Sequence, residues 1–276
     1  MRLTTKIIGG FILSVFIITL TFIISLSFTD RKNYSHSNVN IIELPQDKKA
    51  SIELPSFKTI VIEEVTYDKH DFMYGFSDKC NIHFEPATEE QNADILFIPE
   101  ALKDFVSIQS SGDTLTIKMD IIASIEKYKN SENSVIAISG VNLLFNTSKI
   151  DVINKTDALP LFISKIETDS MKISSNGNIN IVDCKAQYIY PLFANSYYKE
   201  LLIKNSDIKK VNLDLDYIRN WNIENCNIEE QFITGSKKFY ITQNKNEAGT
   251  INWNPKEKDA ELNIKIQGEP AKITIQ

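Results

Sequence analysis

The sequence predicts an all-β protein whose short strands stack as a β-solenoid. Two alternate apolar residues followed by a polar residue recur at Ile150-x-Val152-x-Asn154, Ile179-x-Ile181-x-Asp183, Leu201-x-Ile203-x-Asn205, Trp221-x-Ile223-x-Asn225 and Phe239-x-Ile241-x-Gln243. The final polar residues are roughly 29, 22, 20 and 18 positions apart, a spacing typical of stacked repeats. Asparagine adopts a left-handed backbone more readily than other non-glycine residues, so the repeated Asn predicts the corners. A β-sandwich of short strands is the alternative.

The N-terminus predicts one transmembrane helix. Ile7 to Phe28 is an uncharged run of 22 residues, long enough at about 1.5 Å per residue to cross a hydrocarbon core of about 30 Å. A cleaved signal peptide is the alternative, because Arg2 and Lys6 form a basic start. The apolar run is longer than such a peptide needs, and no small-x-small cleavage site follows before Thr29. We therefore expect residues 1–32 to be a cytoplasmic tip and uncleaved anchor.

The remainder divides into a linker over residues 33–55 and a solenoid ectodomain over residues 56–276. Residues 33–50 are polar and carry no sustained period. Alternating runs begin at Ile60 and Ile62, and a turn at Gly112-Asp113 predicts a hairpin. Proline at position 99 predicts one short helical segment within residues 85–105.

The charge of the ectodomain argues against nucleic-acid binding. The whole chain has 30 basic and 36 acidic residues, and residues 1–32 contain Arg2, Lys6, Asp30, Arg31 and Lys32. The other residues therefore include 26 basic and 35 acidic side chains, a net charge of −9. A nucleic-acid binder needs a basic surface that displaces counterions from phosphates.

The three cysteines are predicted to be buried free thiols. Cys80, Cys184 and Cys226 are too few and too widely spaced for a disulfide framework. In a solenoid, Cys184 and Cys226 would be two layers apart. Two layers of about 4.8 Å exceed the reach of a disulfide.

The first part of the ectodomain resembles a known bacterial family. A phenylalanine-led strand at Phe57–Ile62 is followed by Asn81-Ile82-His83-Phe84, and then by Gly112-Asp113-Thr114-Leu115-Thr116-Ile117. This series resembles the start of the "putative auto-transporter adhesin, head GIN domain" family over residues 56–120. The resemblance implies a single-stranded right-handed β-helix in an envelope protein and carries no catalytic residues. The chain departs from that family in its few glycines and its long apolar N-terminal segment.

No catalytic residue, cofactor site or metal site is predicted. Cys80 and His83 have metal-like spacing, but residues three apart in a strand point to opposite faces. Asp214 and Asp216 could form the carboxylate pair of a polysaccharide-cleaving β-helix enzyme. The other interpretation is a solvated face balanced by the nearby basic residues Lys209, Lys210 and Arg219.

Tyrosines are the candidate binding residues. Tyr188, Tyr190, Tyr197 and Tyr198 lie in the stretch with the most aromatic residues. Tyrosine on a solenoid face can stack on a sugar ring or anchor a protein, and it can equally serve as lateral packing. The sequence therefore predicts a membrane-anchored, extracytoplasmic, non-enzymatic binding or structural module. We expect contact with the membrane through Ile7 to Phe28 and a glycan or envelope protein as partner. A β-helix carbohydrate-active enzyme is the alternative.

Overall fold

The computed structural model describes residues 40–45, 48–65, 67–69, 72–77, 79–88, 94–129, 135–147, 149–193, 199–244, 247–267 and 272–275. The segment Ile7 to Phe28, and with it the predicted anchor, lies outside these residues. Within them, none of the helices has the length and apolar character needed to cross a bilayer. Residues 41–276 form one compact unit.

The described chain is built almost entirely of strands, as predicted. The strands before residue 150 are β1 (Asn40–Glu43), β2 (Lys49–Leu54), β3 (Thr59–Val65), β4 (Tyr67–Lys69), β5 (Phe72–Phe76), β6 (Asn81–Pro86), β7 (Asp94–Pro99), β8 (Val106–Ser111), β9 (Thr114–Asp120), β10 (Val135–Ser139) and β11 (Asn142–Thr147). Those that follow are β12 (Val152–Lys155), β13 (Leu161–Ser164), β14 (Glu167–Ser175), β15 (Ile179–Val182), β16 (Lys185–Phe193), β17 (Glu200–Lys204), β18 (Asp207–Asp214), β19 (Asn220–Glu224), β20 (Asn227–Gly235), β21 (Lys238–Asn244), β22 (Glu247–Pro255), β23 (Glu261–Gln267) and β24 (Lys272–Ile275). One α-helix, α1 (Ile121–Tyr128), and 3-10 segments at Glu100–Phe105 and Leu215–Tyr217 complete the described elements.

Three sheets contain these strands. A small sheet has the order β1-β10-β5-β4. The first large sheet has the order β2-β7-β11-β6-β13-β15-β17-β19-β21-β23, and the second has the order β24-β22-β20-β18-β16-β14-β12-β3-β9-β8. From β12 to β24, successive strands alternate between the two large sheets. Each of these strands pairs in parallel with the strand two places along the chain.

Left-handed residues turn the chain from the first large sheet into the second. Lys165, Asp183, Asn205 and Asn225 have φ of 59°, 56°, 51° and 51°. Each is exposed and is followed by a buried residue, respectively Ile166, Cys184, Ser206 and Cys226. The side-chain nitrogen Nδ2 of Asn225 donates to Oδ1 of Asn205 at 3.2 Å, so neighbouring corners also bond to each other. The predicted corners at Asp183, Asn205 and Asn225 are therefore confirmed.

The first and last copies of the sequence pattern were assigned wrongly. Val152 and Asn154 of the first copy lie in β12 of the second large sheet, where they are only partly buried and the alternate residues Ile153 and Lys155 are buried. The corresponding segment of the first sheet is Leu161-x-Ile163-x-Lys165, which the pattern missed because lysine is uncommon in a left-handed corner. In the last copy, the pattern aligned Gln243 with Asn225. In the structure Gln243 pairs with Ile223, two residues earlier.

The interior consists mainly of apolar columns that run from strand to strand. Ile82, Leu161, Ile179, Leu201 and Trp221 occupy one column of the first large sheet, and all are buried. Alternate residues of each strand point into this interior and are thereby shielded from water. Burial of apolar surface contributes about 25 cal/mol per Å², so the columns are the main source of cohesion.

The buried free thiols are confirmed. Cys80, Cys184 and Cys226 are unpaired and buried. Ser206 lies between Cys184 and Cys226 in the corner column, and its hydroxyl accepts the Cys184 amide hydrogen bond at 3.1 Å. Burial raises the pKa of all three thiols, which keeps them protonated and unreactive.

The N-terminal part of the body differs from expectation in two places. Strands β1 and β2 lie in the stretch 33–55 that was assigned to a linker, because Ala50, Ile52 and Leu54 alternate on one side of β2. Helix α1 was not predicted. Asp120 accepts a hydrogen bond from Ala123 N at 2.9 Å as an N-cap, and Ile121 and Ile125 form its buried side. The Gly112 hairpin between β8 and β9 and the helical segment after Pro99 are confirmed.

We predict that Lys165→Asn stabilises the protein. A lysine in the left-handed region is strained, whereas asparagine adopts that conformation readily. The free energy of unfolding should rise by about 0.5–1 kcal/mol, measured by urea titration. The same exchange at Lys172, an exposed residue in extended strand β14, is the matched control and should give no gain. Equal effects at both positions would contradict the strain argument.

Candidate binding face

The candidate catalytic carboxylates are held by the fold. Asp214 ends β18 and Asp216 lies in the following 3-10 segment, so the two do not share a regular strand face. Lys256 Nζ lies 2.6 Å from Asp214 Oδ2 and 3.2 Å from Asp216 Oδ2. Ser236 donates to Asp216 Oδ1 from its backbone nitrogen at 2.7 Å and from its hydroxyl at 2.8 Å.

These contacts determine the charge of Asp216. Burial alone raises the pKa of its carboxyl, but the hydrogen bonds from Ser236 and the ammonium group of Lys256 outweigh burial and leave the pKa below its ordinary value. A permanently ionised, ion-paired carboxylate is a poor general acid. The balancing cation is Lys256. Of the basic residues expected to balance the pair, Lys210 pairs with Glu230 instead.

The Cys80-x-x-His83 pair is divided between the interior and the surface. Cys80 is buried, and its thiol donates to the carbonyl oxygen of Ile138 at 3.2 Å. His83 is partly exposed and stacks on Phe162 with ring centroids 4.7 Å apart. In the part of the chain that the structure describes, no group of three His, Cys, Asp or Glu side chains could hold a metal ion.

A buried charge cluster lies inside the body at the ends of β3 and β12. Lys155 Nζ contacts Asp157 Oδ1 at 2.5 Å, and both side chains are 0% exposed. Lys155 also donates to the Asp157 carbonyl oxygen at 2.8 Å, and Leu159 N donates to Asp157 Oδ1 at 2.9 Å. The pair therefore fixes the turn that leads from β12 towards β13. Burial lowers the pKa of the Lys155 ammonium, against the opposing charge of Asp157.

Glu64 completes this cluster. Burial, followed by the negative charge of Asp157, raises the pKa of its carboxyl to about 7, and Lys155 offsets part of that shift. Its neighbour Glu63 pairs with Lys118 at 3.1 Å. The two adjacent glutamates thus have different surroundings.

The partly exposed side of the second large sheet carries aromatic residues. Tyr188 and Tyr190 lie on β16, on the outer side of the alternation that buries Ile189 and Pro191. Tyr188 pairs in register with Ser170 on one side and with Lys210 on the other. Tyr197 and Tyr198 lie outside the described residues. Two of the four tyrosines are therefore located on one outer surface.

Residues that the sequence did not single out extend this surface. Asn212 donates to the hydroxyl oxygen of Tyr188 and pairs in register with Phe232. Lys210 Nζ lies 3.3 Å from the Glu230 carboxylate and 5.9 Å from the centroid of the Phe232 ring. We call the surface formed by Tyr188, Tyr190, Lys210, Asn212 and Phe232 the aromatic face. Its members come from β16, β18 and β20, and only the strand register brings them together.

A groove lies beside the aromatic face, along the first residues of β14, β16, β18 and β20. Each strand there has two consecutive outward residues, such as Gln187 with Tyr188 and Lys209 with Lys210. The groove has a volume of about 670 Å³. Its ionisable lining comprises Lys149, Lys185 and Lys209 on one hand and Glu167, Asp169, Asp207 and Glu229 on the other. Glu167 and Lys185 form an ion pair at 3.0 Å. The groove is therefore polar with nearly balanced charge.

The fold and this surface define an all-β protein with two large, mostly parallel sheets and a polar, aromatic outer face. No protein-family model matches the chain, and no curated protein matches it. Similar solved structures include a "putative lipid binding protein" of Parabacteroides distasonis, 13% identical, covering 85% of this chain and 100% of its own, with a TM-score of 0.44. A "putative adhesin" of Parabacteroides merdae is 11% identical over 86% of this chain and 98% of its own, with a TM-score of 0.45. A "putative adhesin" of Bacteroides fragilis is 11% identical over 85% of this chain and 100% of its own, with a TM-score of 0.43.

We predict that Glu64 makes the stability depend on pH near neutrality. Its folded-state pKa of about 7 lies above the ordinary value of 4.5, so the stabilisation is fully present below pH 4.5 and is lost as the pH rises through 7. Glu64→Gln should reduce the loss of unfolding free energy between pH 5 and pH 8 by on the order of 2 kcal/mol, with solvent screening of this partly exposed side chain allowed for. Denaturant titration at the two pH values measures this.

Glu63→Gln is the control for that experiment. This residue pairs with Lys118 at the surface. Its replacement should leave the difference in unfolding free energy between pH 5 and pH 8 nearly unchanged. An unaltered pH dependence in Glu64→Gln would show that another group is responsible.

Proposed function

We propose that the protein is a membrane-anchored, extracytoplasmic right-handed β-solenoid that binds a neutral glycan chain on its aromatic face. It acts as a non-enzymatic binding module of a bacterial cell envelope. The single observation that carries the proposal is the aromatic face itself, in which Tyr188, Tyr190 and Phe232 present partly exposed rings beside a polar groove.

The solenoid architecture is supported by the strand register. Strands β12 to β24 alternate between two parallel sheets, and corners recur at Lys165, Asp183, Asn205 and Asn225, about 18 to 22 residues apart. Connections between parallel strands of one sheet are right-handed in about 98% of cases, which supports that hand. The anchor is supported by the apolar run Ile7 to Phe28.

The chemistry of the aromatic face favours a sugar. A sugar ring presents C–H groups on its faces and hydroxyls on its edges, so it stacks on a tyrosine and bonds to polar side chains in the same plane. Asn212 and Lys210 lie between the rings of β16 and β20 and supply such partners. Since the groove carries both signs of charge, it does not favour a strongly acidic or basic polymer.

Non-enzymatic binding is supported by the state of the carboxylates. Asp214 contacts Lys256, and Asp216 is engaged with both Lys256 and Ser236. A glycosidase needs two carboxyl groups facing each other across a bond, about 5 to 9.5 Å apart, with one of them able to donate a proton.

Oligosaccharide binding tests the proposed ligand class. The full-length protein in detergent is screened by calorimetry against neutral β-glucan, mannan and chitin oligosaccharides. Replacing both Tyr188 and Tyr190 by alanine should weaken the best binder at least about tenfold, since each stacked ring contributes on the order of 1 kcal/mol. Phe162→Ala on the first large sheet is the matched control and should bind normally. Absence of binding to every neutral oligosaccharide, or binding that ignores the two tyrosines, would refute the assignment.

Protease treatment of intact cells tests the location. An anchored body at the cell surface should be degraded while a fragment containing residues 1–32 remains, as detected by blotting at both ends of the chain. A body inside the envelope should be degraded only after the envelope is opened, in which case the glycan must be an envelope polymer. Protection even after the outer barrier is permeabilised would contradict the extracytoplasmic assignment.

A further inference from the structure

The two large sheets end together at β23 and β24, where the interior columns are open. Among the described strands, β23 ends the first large sheet and β24 ends the second. Ile273 and Ile275 of β24 pair in register with Ile251 and Trp253, which are buried core residues. Yet Ile273 is 56% exposed and Ile275 is 74% exposed. Two core positions therefore lack a covering layer in the described chain.

Strand β23 shows the same open end. Its core-facing residues Leu262, Ile264 and Ile266 are only partly covered, whereas the core-facing residues of β15, β17 and β19 are buried. Its outward residues alternate with them and are exposed. The free edge of such a strand presents unpaired N–H and C=O groups that another strand can bind.

The opposite end of the stack is closed differently. There, β8 and β9 form an antiparallel hairpin, and β2 pairs antiparallel with β7. Helix α1 packs against β3, β5 and β10. A capping helix and antiparallel strands are the usual means of ending a solenoid, because a terminal layer needs a protected edge. The β23 and β24 end has no such cap among the described residues.

We propose that this end binds a second copy of the same chain, with β23 pairing antiparallel with β23 of its partner about a two-fold axis at Asn263. This register places Glu261 of each copy opposite Lys265 of the other. It also places Leu262 opposite Ile264 on the core side. Residues directly opposite in an antiparallel pair lie on the same face, so the charged pair and the apolar pair form together.

The charge pattern favours this register over the neighbouring one. Centring the axis one residue later, on Ile264, would bring Glu261 opposite Gln267 and Lys265 opposite Asn263, which satisfies neither charge. A two-fold axis that crosses both sheets also pairs β24 with its counterpart, so Ile273 and Ile275 become covered in the same step. One surface patch that complements itself is the signature of an isologous dimer.

Cysteine cross-linking tests the register. The three native cysteines are buried, so Asn263→Cys in the full-length chain in detergent presents one accessible thiol at the proposed axis. Mild oxidation should convert most of this variant to a covalent dimer on a non-reducing gel. Glu261→Cys and Lys265→Cys should each cross-link poorly alone, and the double variant should cross-link well. Efficient cross-linking of either single variant with none at Asn263→Cys would overturn the proposal.

A charge exchange tests the interface without disturbing the interior. Lys265→Glu places two acids opposite each other and should raise the dimer dissociation constant at least tenfold in sedimentation velocity. Adding Glu261→Lys restores the opposite-charge pairs and should recover dimerisation. Glu261 also contacts Lys238 of its own chain at 2.5 Å, so Lys238→Gln is the control for loss of that ion pair and should leave the dimer intact.

The remaining outcomes decide against the interface. A wild-type chain that stays monomeric at high micromolar concentration would show that the end is covered by something else, such as a different protein strand. A dimer that is unaffected by Lys265→Glu would place the contact elsewhere, for example in residues 1–39. Both results would leave glycan binding on the aromatic face unaffected, so the two proposals can fail separately.

Discussion

The architecture depends on parallel pairing between equivalent segments of successive layers. Four crossings from the first large sheet to the second occur at a left-handed residue, and at three of them the backbone amide of that residue bonds to the next strand of the first sheet. Asp183 N, for example, donates to the carbonyl oxygen of Lys204 at 3.0 Å, and Asn205 N donates to that of Glu224 at 2.9 Å. The pairing register matters because a slip of one residue would move every apolar side chain of a strand to the opposite face.

The same constraint explains the surface. Because most interior positions are apolar, the outward positions are free to carry other chemistry, and the register aligns them at strand spacing. Ladders of polar contacts result, such as Asn227 Nδ2 to Asp207 Oδ1 at 3.1 Å and Asn220 Nδ2 to Glu200 Oε1 at 2.7 Å. The aromatic face is another such alignment, in which rings replace amides. Its residues are therefore brought together by the pairing of β16, β18 and β20, and not by a local sequence motif.

The sequence predicted those features that depend on local chemistry. Asparagine and aspartate marked three corners, glycine marked the hairpin at residue 112, and alternation marked most strands. It failed where a residue acted against its usual preference, as Lys165 does in its corner and Lys155 does in the interior. Helix α1 was missed because its eight residues offered only a short apolar pattern beside a polar stretch. The outward tyrosines were identified, whereas Phe232 and Asn212 were not, because their proximity depends on pairing between segments about twenty residues apart.

The direction of the hydrogen bonds has a mechanical consequence. In both large sheets the bonds run from one layer to the next, and the described structure has no disulfide that ties distant layers together. A force applied along the stack would load one strand pair at a time and peel the layers apart at low tension. A force applied along the strands would instead load all bonds of a sheet in shear and meet much greater resistance. The mechanical strength of the body therefore depends on the direction of the applied force.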